Sequence, residues 1–193
     1  MSSSATPYGA RPIGSLSVSG SFSGKVRHYS IASGYATSIF YGDFVKLVAA
    51  GGVEKDTGTT ACTPVGIFLG VSYTDPNTSQ KTFSQMWTAS VVASDATAYV
   101  MDDPDVLFEM QADGSAAQTV IGNNVAVALT AGSTSIGTSK NVVDISTIAS
   151  TTATLPIRIV DISSKSGNAA GDSYTDLVVK FNAGHIMRNT TGI

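Results

Sequence analysis

Few side chains in this sequence are equipped for chemistry, and they do not gather along the chain. His28 and His185 are its only imidazoles, which excludes a three-histidine metal site. Cys62 is the single cysteine, flanked by Ala61 and Thr63, so no intrachain disulfide can form. It has no activating base beside it and reads as a structural or idle thiol. The tract Gly137-Thr138-Ser139-Lys140 reverses the Gly-Lys-Ser/Thr order that a phosphate loop needs. Gly20-Ser21-Phe22-Ser23-Gly24 has Phe where a nucleophile elbow needs Ser. Asp102, Asp103 and Asp105, bent at Pro104, form the densest acidic cluster. Three carboxylates can share a hard cation such as calcium. Two can serve glycoside hydrolysis when about 5–9 Å apart across a cleft. Neighbours in one turn do not supply that gap, no calcium-loop spacing follows, and Asp is a common turn residue. The expectation is a chain with no catalytic residue, no cofactor and no bound metal, hence not an enzyme.

Composition limits the partners. The 193 residues carry 11 Lys plus Arg against 14 Asp plus Glu, a net charge of −3. A binder of phosphate backbones needs basic excess, so no direct nucleic-acid contact is expected. No apolar run approaches 18 residues, so no membrane span is expected. The first residues lack the basic and apolar regions of a secretory signal, so the chain is expected to be made in a cytosol and to stay soluble there. Charged residues make up only 13% of the chain, against roughly 25% in an ordinary domain. Ser (26) and Thr (22) stand in their place. Either hydroxyls coat the surface or neighbouring subunits cover much of it.

The elements that must position these residues are strands. Residues 1–14 are polar, aperiodic and Pro-containing, and read as an extended N-terminal arm ahead of a single β-rich domain over 15–193. Leu16, Val18 and Phe22 alternate with serines, which predicts a strand over 15–23. Further strands are predicted at Phe44–Val48, Pro64–Tyr73, within 81–92, and at 97–101, 106–110, 125–129, 141–145, 156–162 and 174–182. Residues 116–121 read as a short helix or turn, and 146–154 as loop. Eight to ten short strands with Gly, Asn and Asp turns predict an all-β fold, an antiparallel barrel or sandwich. Tyr29, Tyr35 and Tyr41 lie in an aromatic run richer than one core strand needs; with polar tips, they suit a subunit interface better than a simple core. Tyr8 and Ile13 are the apolar anchors of the arm. Trp87 reads as core or interface, with stacking on a sugar as the lesser alternative. The candidate interface set is therefore Tyr8, Ile13, Tyr29, Tyr35, Tyr41 and Trp87.

Two strings carry a resemblance: Gly42-Asp43-Phe44-Val45-Lys46-Leu47, followed by Pro64-Val65-Gly66-Ile67-Phe68-Leu69-Gly70-Val71. They resemble the β-rich capsid decoration, or cement, proteins of tailed bacteriophages. The ending Asp176-Leu177-Val178-Val179-Lys180-Phe181-Asn182-Ala183-Gly184-His185 is similar to small phage virion proteins. The likeness spans residues 40–185 as texture, and the family has no catalytic residues to carry over. It implies a homo-oligomer, dimer or trimer, on the outer surface of the virion. Its partner there would be the major capsid protein, whose lattice it would stabilise against DNA pressure. A phage tail, fibre or baseplate protein is the alternative, and a carbohydrate-binding β-sandwich using Trp87 and nearby Tyr residues is a third. On the first reading the arm is mobile in the free protein and ordered on the particle.

Overall fold

The computed structural model describes residues 4–16, 25–182 and 184–188. Among them are fourteen strands and one 3-10 turn at Gln118–Val120. The strands are β1 (Arg11–Ser15), β2 (Val26–Ser30), β3 (Ile39–Phe40), β4 (Phe44–Leu47), β5 (Val53–Lys55), β6 (Gly66–Thr74) and β7 (Lys81–Ser84). There follow β8 (Met86–Trp87), β9 (Thr97–Met101), β10 (Val106–Gln111), β11 (Asn124–Ala128), β12 (Val142–Ala149), β13 (Ile157–Ile162) and β14 (Asp176–Phe181). The all-β expectation holds. The order is β1-β10-β14-β13-β11-β12 in one sheet and β2-β9-β6-β4-β5 in the other, with β7 also on β6; β3 and β8 form a small third pair. Every strand pairing is antiparallel. The first sheet curls until β12 touches the end of β10 through the single Ala112–Val143 bridge. It does not close into a barrel, and the layout is sandwich-like.

Local chemistry accounts for most of these elements. Val, Ile, Phe and Tyr dominate the strands because branched and aromatic side chains fit a pleated, half-buried surface. Alternation then assigns faces. In β14, Leu177, Val179 and Phe181 are fully buried on one side. The central strands of the second sheet bury both sides. Phe44, Ile67 and Met101 enter a core with the first sheet, where Phe44, Phe108 and Phe181 meet at ring separations of 4.9–5.7 Å. Their neighbours Val45, Phe68 and Val100 enter a second core with Ile39 and Trp87. Two cores thus share one sheet, and each fully buried Phe contributes on the order of 2–3 kcal/mol. Gly66 is required at this crossing: a Cβ there would lie 2.1 Å from the Met101 carbonyl oxygen.

Three expectations need correction or placement. The strand expected at 15–23 falls mostly on residues outside those described. The loop expected at 146–154 begins late, because β12 continues to Ala149 past a register shift. There the Thr147 hydroxyl accepts the Ala126 N–H at 2.9 Å, supplying a bond the ladder loses. The N-terminal segment is extended as expected, but it is docked on its own chain rather than free. β1 forms the edge of the first sheet, Arg11 opposite Glu109 and Ser15 opposite Val106. Gln111 Oε1 accepts the Thr6 N–H, and the Gly42 carbonyl accepts the Ala10 N–H. A boundary at residue 14 therefore cuts through a strand. Docking satisfies backbone groups and buries Ala10, which offsets the ordering entropy. Deleting residues 2–12 is expected to destabilise the fold by about 2 kcal/mol, through loss of an edge strand and its side-chain bonds. Urea unfolding measures this, and an unchanged midpoint would show the segment to be idle.

Candidate functional site

Three polar clusters hold the strands together, and each uses residues that had drawn attention as chemistry. The first surrounds Asp43, which is fully buried at the turn before β4. Its Oδ2 accepts the Phe40 N–H at 2.9 Å and the Lys55 Nζ at 2.8 Å. Its Oδ1 accepts the Ser139 hydroxyl at 2.6 Å and the Asn141 amide at 3.1 Å. Ser139 therefore belongs to a structural network, not a phosphate loop. Gly42 adopts φ +88° to turn the chain into this position.

The second cluster fastens the N-terminus. The Tyr8 hydroxyl donates to Asp176 Oδ1 at 2.9 Å, and Lys165 Nζ lies 2.7 Å from Asp176 Oδ2. Ser163 donates to Glu109 on the neighbouring strand. The Arg11 guanidinium stacks 4.6 Å over the Tyr8 ring. Burial first, then the negative charges of Asp176 and Glu109, pushes the Tyr8 hydroxyl far above its usual range. Tyr8 is consequently a neutral donor at neutral pH.

The third cluster is the acidic turn between β9 and β10. Asp102 receives Arg27 Nε at 2.8 Å and the Tyr29 hydroxyl at 2.9 Å. Asp103 accepts the Asp105 N–H in a local turn, and Asp105 pairs with Arg188. The three carboxylates thus face different partners. Among the described residues no group of His, Cys, Asp and Glu is arranged to hold a metal ion. Burial, with the hydrogen bond to Asp102 next, raises Tyr29 to about 12. His185 packs beneath this turn, 5.1 Å from the Phe181 ring, and Nε2 is buried with no partner.

The interface candidates separate on their exposure. Trp87 is fully buried, donates Nε1–H to the Tyr35 carbonyl at 3.2 Å, and meets Tyr73 edge-on. It is core, and it is unavailable for the sugar stacking that the third reading required. The Tyr35 hydroxyl accepts the Lys55 N–H at 3.1 Å, so its tip is satisfied within the chain. Tyr41 is half-buried and bridges Thr138 through its backbone. Tyr8 and Tyr29 are half-buried anchors, as described. Ile13 alone is an exposed apolar side chain, 45% accessible. Cys62 is buried, donates to the Gly58 carbonyl, and is pushed up to about 12 by burial and then by Asp56, so its thiol is inert.

What lies outside is apolar at two places that single-strand patterns do not connect. Ile13 on β1, Leu16 just past its end, Val26 on β2 and Met187 are exposed, the last three at the Asp102–Asp105 turn. Leu16 donates its N–H to the Asp105 carbonyl there, and Met187 lines a depression with Lys25 and Arg27. Among the described residues β1 and β2 end their sheets. On another face, Phe83 is 71% exposed on β7 opposite Ser72, and Tyr99 and His28 lie in the next row on that face, opposite Gly70. Comparison with protein-family models, with curated proteins and with solved structures finds no match. The reading of this protein therefore rests on its own residues.

Proposed function

We propose that this chain is a structural subunit of a virus particle, a capsid decoration protein of a tailed bacteriophage that binds the major capsid lattice and stabilises the head. The observation that carries the reading is the pair of sheet-ending strands β1 and β2 with Ile13, Leu16 and Val26 exposed beside them. Sheet edges bearing exposed apolar residues are templates for another chain, and monomeric proteins normally blunt them with charge. Here each edge carries one arginine, Arg11 on β1 and Arg27 on β2, beside its exposed apolar side chains. The resemblance of the 42–47 and 64–71 strings supports the same class. Attachment would rest on many weak contacts made effectively permanent by multivalency.

The test is binding to empty heads of the virus that encodes the chain, with light scattering of the free protein. A mass above that of one chain and saturable head binding are expected. The double variant Ile13→Asp, Leu16→Asp should remain folded, since both side chains are exposed, and lose head binding. A strictly monomeric chain that fails to bind empty heads overturns the proposal.

A further inference from the structure

The Asp43 cluster holds the parts of a condensation reaction as well as those of an ion pair. Its one carboxylate, fully buried, touches two side-chain nitrogens: Lys55 Nζ at 2.8 Å on Oδ2 and Asn141 Nδ2 at 3.1 Å on Oδ1. A lysine amine taken out of water is a nucleophile once it gives up a proton, and the Cγ of a carboxamide is an acyl carbon that it can attack. Asn141 is held at both ends of its amide. Its Oδ1 accepts the Thr130 N–H at 3.1 Å, which leaves Nδ2 to face Asp43. The carboxylate is fixed in turn by the Phe40 N–H on Oδ2 and the Ser139 hydroxyl on Oδ1. Water is largely excluded: Asn141 is 1% exposed, and the Phe40 ring lies 5.6 Å from Lys55 Nζ.

We propose that Lys55 and Asn141 join through an intramolecular amide bond, formed once per chain with Asp43 as the proton carrier. Lys55 passes one ammonium proton to Asp43, and the freed electron pair on Nζ attacks Asn141 Cγ. The carbonyl pair moves onto Oδ1, where the Thr130 N–H stabilises the oxyanion. As that pair returns, the Cγ–Nδ2 bond breaks, and Nδ2 takes a proton from Asp43 and leaves as ammonia. The second proton shed by Nζ follows it through Asp43, so the chain loses ammonium and Asp43 ends as the carboxylate it began. No oxidant, metal or further reactant enters the balance. The attack needs Nζ about 3–3.5 Å from Cγ. The flexible four-carbon stem of lysine allows that approach. Lys55 ends β5 of the second sheet, and Asn141 directly precedes β12 of the first. The bond therefore ties the two sheets together between points far apart in sequence, and a cross-link across a long loop stabilises by restricting the unfolded chain. It does so in a chain whose single cysteine cannot supply an internal disulfide. The reaction does not depend on the capsid reading.

The test is mass spectrometry of the purified full-length protein under denaturing conditions. The parent is expected to weigh about 17 Da less than its sequence requires, the mass of one ammonia. Its digest should contain one branched peptide joining Lys55 to Asn141. Lys55→Arg keeps a cation beside Asp43 but supplies no attacking amine, and it should have its full mass. Asp43→Asn removes the proton carrier and should also have its full mass. Lys46→Arg, on the neighbouring strand β4, should retain both the loss and the branched peptide. The parent's own branched peptide decides the matter even where a variant fails to fold. A parent of full mass overturns the proposal. A loss of ammonia without the branched peptide, or one that survives Lys55→Arg, would mark a succinimide at an asparagine and overturn it equally. The branched peptide in Asp43→Asn would overturn the role given to Asp43.

Discussion

Replacing Asp43 by Ala is expected to cost about 3–5 kcal/mol of folding stability, because it strands a nearly buried lysine and three further donors. Asp43 is fully buried and Lys55 is 11% accessible at its side chain. The single carboxylate gathers Phe40, Lys55, Ser139 and Asn141, residues spread over a hundred positions of sequence. Removing it leaves an uncompensated ammonium beside the Phe40 ring and unpaired polar groups with no access to water. Lys81 and Asp95 make an ion pair of nearly the same length, 2.9 Å, but both side chains are over 40% exposed. Solvent screening makes that pair weak, so Lys81→Ala should barely move the midpoint. Chemical denaturation of the two variants checks the contrast. Comparable losses at the two sites would mean that burial does not decide the strength of these pairs.

Acid is expected to remove about 3 kcal/mol of stability through His185 alone, over the range from pH 6.5 down to pH 4. Burial first holds the imidazole down to about 4; Arg188 acts in the same direction, while the Val65 backbone, Asp102 and Asp103 oppose it. Nδ1 accepts the Met187 N–H at 3.2 Å, so the proton of the neutral ring sits on Nε2. The unfolded chain takes up a second proton near pH 6.5 and the folded chain near 4. The contribution is therefore complete above pH 6.5 and lost as pH falls to 4. The turn at 184–188 should loosen first, because it is fastened by His185, by the Ile186 N–H on the Pro64 carbonyl and by Arg188 on Asp105. His185→Leu keeps an apolar plug and removes the titration. Its stability curve should fall about 3 kcal/mol less than the parent's over the same interval. Parallel curves for the two proteins would exclude His185 as the source.

How far the sequence could be read depended on whether the information was local. Phe44–Leu47, Thr97–Met101, Val106–Gln111 and Asp176–Phe181 were legible because alternation and turn residues act within a few positions. The same logic marked 116–121 as a short turn before a strand, and found no helix of ten residues. It failed for Arg11–Ser15, whose Pro12 and Gly14 interrupt any strand pattern, and which becomes a strand only because β10 offers it an edge. For the tyrosines it left the partner undecided. A polar tip among apolar residues has the same appearance whether it meets another subunit or, as for Tyr8 and Tyr35, a partner elsewhere in its own chain.

The sequence by itself determined the all-β class, the scarcity of charge and the scatter of residues suited to catalysis, since these follow from residue types and short-range periodicity. Only the tertiary structure decided which carboxylates are buried, that Trp87 is core, and that Phe83 and Tyr99 share one face of the second sheet. Those facts depend on register between strands distant in sequence. A shift of one residue in that register would turn Phe83 or Tyr99 to the opposite face of the sheet, and no local pattern records the pairing.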